Sequence, residues 1–192
     1  MRRGILGGTF DPPHLAHLVA AETAYRQLGL DVVTFLPAGS PWQKAGHPVS
    51  EPEHRWEMTR LAIEGAEYFA ADPRELRRDG PTYTIDTLAT FPPGETLLLI
   101  LGHDAAAGLP TWHRAEELVT QVEIVVAPRP GTGREEVDRA VGRAVQWLAM
   151  PALEISGTMI RQRLAARESV RFLVPDRVWH YIVEHELYGP AI

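Results

Sequence analysis

The chain contains no cysteine. That excludes a disulfide framework, a thiolate metal site and a cysteine nucleophile. Long apolar runs are missing too. The longest, Leu97 to Leu101, is far too short to span a bilayer. An excess of positive charge is also absent: 19 Lys and Arg stand against 25 Asp and Glu, a net charge of −6. This argues against broad nucleic-acid binding, which favours a basic surface. An anionic small ligand stays admissible, provided local cations and backbone N–H groups hold it against the overall field. No apolar signal segment opens the chain, since Met1-Arg2-Arg3 runs straight into Gly4. A cytoplasmic protein is expected, with no membrane and no nucleic-acid partner. Repeats and low-complexity tracts are lacking. What remains is an ordinary globular composition over 192 residues, 45% hydrophobic and 23% charged. It suits a single domain over 1–192, long enough to bury a sizeable core.

Strand and helix patterns alternate along the chain. Strands are expected at Arg3–Leu6, Asp31–Pro37, Tyr68–Ala71, in "ETLLLILG" (95–102), in "VEIVVAP" (122–128) and in "ALEIS" (152–156). Helices are expected at Leu15–Leu28, Glu51–Gly65, Tyr83–Thr90, Ala115–Thr120, Arg134–Leu148, Gly157–Arg167 and Pro175–Leu187. Ser50 with Glu53 makes a capping box for the second of these. Such alternation implies crossover connections, and so a Rossmann-like, doubly wound, mostly parallel α/β sheet with helices on both faces. The part from about 160 onward reads as a helical C-terminal extension. Sheets of this kind bind ligands beyond the C-terminal ends of their strands, where the strand order reverses.

The stretch "GILGGTFDPPHLAH" (4–17) lies at such an end. Gly7 and Gly8 allow backbone to approach a ligand closely. The next helix starts near Pro12–His14, and its free N–H groups favour an anion. His14 and His17, three apart, share one helical face. Neither G-x-x-x-x-G-K-[ST] nor G-x-G-x-x-G is present, so this is neither a P-loop nor the dinucleotide fingerprint. On the residues alone, three plainer readings stay open: a glycine turn, a capping histidine pair, or two metal ligands with Asp11 nearby. The helical zinc pair is usually spaced i, i+4, however. Late in the chain, "ISGTMIR" (155–161) offers a second helix start, with Ser156 as N-cap, Thr158 in the first turn and Arg161 beyond.

"GGTFDPPHLAH" resembles the N-terminal signature of the nucleotidyltransferase superfamily, G-x-F-D-P-x-H-x-G-H, with Ala16 at the usual glycine. "ISGTMIR" resembles that superfamily's I-S-S-T-x-I-R, with Gly157 at the usual second serine. Other segments are similar to the bacterial nicotinate mononucleotide adenylyltransferases. They are "FLPAGSPWQK" (35–44), "DGPTYTIDTL" (79–88), "LGHDAAAGLPTWHRAEEL" (101–118), "VVAPRPG" (125–131) and "FLVPDRVWHYIVEHELYG" (172–189). Trp42-Gln43 stands where that family often has Pro-His. The resemblance covers nearly the whole chain.

The resemblance implies adenylyl transfer from ATP to nicotinate mononucleotide, giving deamido-NAD and pyrophosphate in NAD biosynthesis. It implies an ATP site of Gly8, Thr9, Phe10, His14, His17, Gly102, Asp104, Ile155, Ser156, Thr158 and Arg161. His14, His17 and Arg161 are implied as the catalytic set on the triphosphate. Lys44 and Arg129 are implied for the mononucleotide phosphate, Thr84 for its carboxylate and Trp112 for stacking on its ring. Mg²⁺ is the implied cofactor, held mainly by ATP phosphates with no protein metal ligand. A homo-oligomer is compatible with the sequence. Rival readings are a transferase for another acceptor (nicotinamide mononucleotide or phosphopantetheine), a nucleotide-binding protein without transfer, and a metal-dependent hydrolase on the histidine pair. His47, His54, His103, His113, His180 and His185 show no partner pattern and are read as surface or structural.

Overall fold

The computed structural model describes residues 1–39 and 49–189. Lys44 and His47 lie outside the described residues. The apolar runs become the strands β1 (Arg2–Gly8), β2 (Val32–Pro37), β3 (Phe69–Ala71), β4 (Thr96–Gly102), β5 (Glu123–Ala127) and β6 (Gln146–Trp147). They form one sheet in the order β3-β2-β1-β4-β5-β6. Every neighbouring pair is parallel. The order reverses between β1 and β4, the doubly wound arrangement.

The strands read as near-continuous apolar runs because both faces are buried. Alternate residues go to opposite sides. Ile5, Leu36, Leu99, Leu101, Ile124 and Val126 pack on one face. There they meet side chains from α3 (Thr84–Leu88), α4 (His103–Ala107), α5 (Ala115–Gln121) and α6 (Arg134–Val141). Leu6, Val33, Phe35, Leu98, Ile100 and Val125 pack on the other face, against Ala20, Ala21 and Ala24 of α1 (Leu15–Leu28). The small alanines let α1 lie close to the sheet. A third apolar cluster joins α2 (Pro52–Ile63), α7 (Gly157–Ala165) and α8 (Asp176–Glu184) through Met58, Ile160, Leu164, Val178 and Ile182. No described helix is long and apolar enough to cross a membrane.

Three expectations need correction. The helix expected over Arg134–Leu148 ends at Val141, where Gly142 takes φ 73° and donates its N–H to the Asp138 carbonyl. A left-handed cap of this kind suits glycine and stops the helix. The chain then runs into β6, which pairs with Val125 and Val126 and fills the sheet edge. "ALEIS" accordingly forms no strand, because β6 already occupies that edge. Ser50 is not the N-cap of α2. That position is Glu51, no side chain caps it, and Pro52 fills the first turn, where its missing N–H costs nothing. Helix α4 and a 3-10 turn at Leu109–Thr111 lie in a Gly- and Pro-rich stretch without helical periodicity, and were not expected.

Candidate active site

β1 ends at Gly8, next to the point where the strand order reverses. The turn after it is tightly specified. Phe10 sits at φ 49°, a left-handed conformation that bulky residues rarely adopt. Such strain persists where the surroundings enforce it. Here the Phe10 ring is buried, tilted against Phe35 and edge-on to His17, with centroids 5.0 Å apart in the latter pair. The structure thus places Phe10 beneath the turn as a support for His17. The peptide bond between Asp11 and Pro12 is cis.

Helix α1 begins with His14 as its N-cap. The His14 backbone N–H donates to His17 Nδ1 at 3.2 Å. An Nδ1 that accepts is unprotonated, so neutral His17 carries its hydrogen on Nε2, as a donor. The two rings stack at 3.7 Å. His14 is buried, and burial lowers its pKa from 6.5 to about 4. It is neutral at pH 7. Its Nδ1 has no hydrogen-bond partner among the described residues.

That depressed pKa makes a stability prediction. As pH falls below the ordinary histidine value, the unfolded chain takes up a proton that folded His14 refuses, so stability is lost between about 6.5 and 4. Between pH 7 and 4.5 this group is expected to cost about 2 kcal/mol. Urea titrations of the wild type and His14→Gln at both pH values check it. Equal acid losses in the two proteins would rule this contribution out.

The second signature closes on the first. Ser156 is the N-cap of α7, and its Oγ accepts the Met159 N–H at 3.2 Å. Arg161 Nη1 donates to the Asp11 backbone carbonyl at 2.7 Å, and its Nη2 lies 3.3 Å from Thr158 Oγ1. Residues 150 apart in sequence thereby meet beside the His14–His17 pair. Gly157 permits the approach. A Cβ there would lie 3.0 Å from the Asp11 carbonyl oxygen and 3.3 Å from Arg161 Nη1. Ile155 packs on the apolar cluster shared by α2, α7 and α8.

A pocket opens on the other side of the same turn. It is lined by Gly7 and Gly8 at the end of β1, Thr9 just beyond, Gly102 at the end of β4, and Thr84 and Trp112. The structure therefore brings Thr84 and Trp112 together, although 28 positions separate them in sequence. The Trp112 indole N–H is buried without a partner among the described residues. Glu75, Thr82, Tyr83 and His113 also line the pocket, and sequence reasoning placed none of them there. Tyr83 and His113 stack at 4.2 Å. Burial pushes the Glu75 carboxyl above its ordinary pKa, against the opposing pull of the Thr87 hydroxyl and Arg78. Asp104 at the start of α4 forms an ion pair with Arg129, and both are substantially exposed. His103 is buried, with Nε2 3.1 Å from the Gly133 carbonyl, and ties α4 to the start of α6. Among the described residues, no group of three or more His, Cys, Asp or Glu side chains could hold a metal ion.

Arg55 also escaped sequence reasoning. It lies in the middle of α2 and is almost fully buried. Its Nη1 donates to the carbonyls of Thr9 (3.1 Å) and Ala38 (2.6 Å), Nη2 to Gly39 (3.1 Å) and Nε to Ser50 (3.0 Å). One planar guanidinium therefore ties the turn after β1 to the turn after β2. Burial lowers its pKa and the charge of Asp11 opposes that shift. No sequence pattern marks such a residue, because its partners are backbone carbonyls.

The family model described as Cytidylyltransferase-like matches residues 5–163. A protein of Salinibacter ruber named "Probable nicotinate-nucleotide adenylyltransferase" is 39% identical over 194 residues, covering 100% of both chains. One of the same name from an Arthrobacter species is 44% identical over 187 residues, covering 96% of this chain and 90% of its own. Among solved structures, the Plasmodium falciparum nicotinic acid mononucleotide adenylyltransferase complexed with NaAD matches with a TM-score of 0.83. It is 20% identical and covers 97% of each chain. The same Plasmodium protein complexed with APC gives a TM-score of 0.79 at 19% identity, covering 97% of this chain and 96% of that one. These two share the fold.

Proposed function

Because the chain belongs to the cytidylyltransferase-like family, we propose that it transfers the adenylyl group of ATP to nicotinate mononucleotide, giving deamido-NAD and pyrophosphate. One observation carries the reading: Arg161 docks on the turn that holds His14 and His17, and the same turn borders the pocket of Thr84 and Trp112. In this reading the triphosphate site and the pocket of Thr84 and Trp112 share Gly8 and Thr9. The full-length likeness to proteins named for this activity supports it.

The chemistry asks little of the chain beyond alignment and charge stabilisation. The mononucleotide phosphate is already an anion at neutral pH, so its attack on the α-phosphorus needs no general base. The bond from that phosphorus to the bridging oxygen breaks, and pyrophosphate leaves. His17 donates from Nε2 to the departing oxygens, and neutral His14 binds beside it. Arg161 adds charge, with Gly8, Thr9 and the α7 start at Ser156 and Thr158 around it. Mg²⁺, when bound with ATP, would supply further neutralisation of phosphate charge, and no residue of this chain is assigned to hold it. Asp104 faces the nucleotide and Arg129 takes the mononucleotide phosphate. Their mutual ion pair is exposed, so parting it on substrate binding costs about 1 kcal/mol or less. Lys44 joins Arg129 in this reading. Thr84 reads the pyridine carboxylate and Trp112 covers the ring. The chain works as a single domain over 1–192, in the cytoplasm.

Incubating the protein with Mg²⁺-ATP and nicotinate mononucleotide, nicotinamide mononucleotide or phosphopantetheine, in separate reactions, tests the proposal. Dinucleotide and pyrophosphate forming fastest from the nicotinate substrate is the expected result. Turnover with phosphopantetheine alone would overturn the acceptor. ATP binding without pyrophosphate release would overturn transfer itself. Thr84→Val keeps the shape and removes the hydroxyl. It is expected to raise KM for nicotinate mononucleotide about tenfold or more, the worth of one hydrogen bond to a charged group. KM for ATP stays put. Equal losses for both substrates would give Thr84 a structural role instead.

A further inference from the structure

Asp11 sits at the centre of the phosphate turn, and its carboxylate is buried. A buried carboxylate beside an arginine ordinarily closes into a direct ion pair. Here it does not. Arg161 Nη1 donates to the Asp11 backbone carbonyl at 2.7 Å, while the nearer carboxylate oxygen, Oδ2, stands 3.9 Å away. The carboxylate is held by other donors. Tyr188 donates its hydroxyl to Oδ1 at 2.6 Å, and the Ser50 N–H points at Oδ2 from 3.4 Å. Tyr188 comes from the C-terminal tail, 177 positions from Asp11.

The tail is built to deliver that hydroxyl. Beyond α8 the Leu187 N–H donates to the Ile182 carbonyl, and Tyr188 takes φ 67°. A tyrosine is rarely left-handed unless its surroundings require it. Its ring packs on the apolar cluster of α2, α7 and α8, with the hydroxyl 3.9 Å from Met58 Sδ. Burial and the Asp11 charge push its pKa up, so the hydroxyl stays protonated as a donor.

We infer that Tyr188 is a positioning residue for the transfer reaction: its hydroxyl holds the Asp11 carboxylate off Arg161 and so keeps that guanidinium available to the triphosphate. The inference rests on the reading that Arg161 meets ATP phosphates. Without the hydroxyl, Oδ1 loses its donor, and the carboxylate turns to Arg161, the one guanidinium within 4 Å of it among the described residues. The carboxylate then competes with ATP for the same donors.

Tyr188→Phe removes one oxygen and keeps the ring in its cluster. In the full chain it is expected to raise KM for ATP about tenfold, with KM for nicotinate mononucleotide within about twofold of wild type and the melting temperature nearly unchanged. Asp11→Asn removes the competing charge, so adding Tyr188→Phe to it is expected to change KM for ATP little further. The pair is then non-additive, as groups acting through one another are. Additive losses in the double variant, or parallel losses for both substrates with a lowered melting temperature, would make Tyr188 a packing residue and overturn the inference. Arg161→Ala separates the premise. If it leaves ATP use intact, the assignment of Arg161 falls and the inference with it. If it impairs ATP use while Tyr188→Phe does not, only the inference falls.

Discussion

Replacing His17 with alanine is expected to lower turnover by about 10²- to 10³-fold, the loss of one donor aimed at developing charge. The direction follows from the tautomer. His17 Nδ1 accepts the His14 backbone N–H, so neutral His17 carries its hydrogen on Nε2, the donor that the proposed reaction directs at the leaving pyrophosphate. The ring is oriented twice, by stacking on His14 and by the edge of Phe10. Little of its effect should appear in KM for ATP, because the donor matters most as charge grows on the bridging oxygen. Pyrophosphate release under saturating substrates measures it, and circular dichroism confirms that the fold survives. Turnover within a fewfold of wild type would remove His17 from the reaction.

Arg55→Met is expected to cost more stability than any other change considered. Methionine fills much of the same space without a donor. The carbonyls of Thr9, Ala38, Gly39 and Ser50 then lose their partner inside the protein. Orphaned buried acceptors cost about 1–3 kcal/mol each, and removing a desolvated charge gives part of that back. A net loss of about 3–4 kcal/mol remains, or about 10 °C in melting temperature for a chain of this size. Activity falls with it, because Thr9 and Ala38 both line the pocket. Arg55→Lys keeps the charge but lacks the planar fork, so it should lie between wild type and methionine. A melting temperature unchanged in Arg55→Met would show that the two turns hold themselves.

Much of the fold was legible. β1, β2, β4 and β5 lie where apolar, β-branched runs predict them, because a strand buried on both faces must be apolar throughout. Helix α1 is framed by His14 and by Gly29 in the left-handed conformation, signals contained in a few adjacent residues. The misreadings fall where two periodicities meet. Residues 134–141 are amphipathic, and nothing in "AVQWL" by itself says that the next turn of helix is replaced by an edge strand. That outcome depends on the free edge of β5, which is a property of the sheet.

The site divides in the same way. The sequence by itself determined the two helix starts proposed to bind phosphate, with their histidines, hydroxyls and arginine, because a helix terminus and its cap are set by neighbours within four residues. The pairing of Thr84 with Trp112 came from resemblance, and the structure supplies the shared pocket. Tertiary structure alone decided that Arg161 rests on the Asp11 carbonyl, that Arg55 ties two turns together, and that Tyr188 restrains Asp11. The physical reason is common to all three. Their partners are a backbone oxygen, which every residue possesses, or a side chain more than a hundred positions away. Neither leaves a local trace, and only packing around the sheet brings them within hydrogen-bond reach.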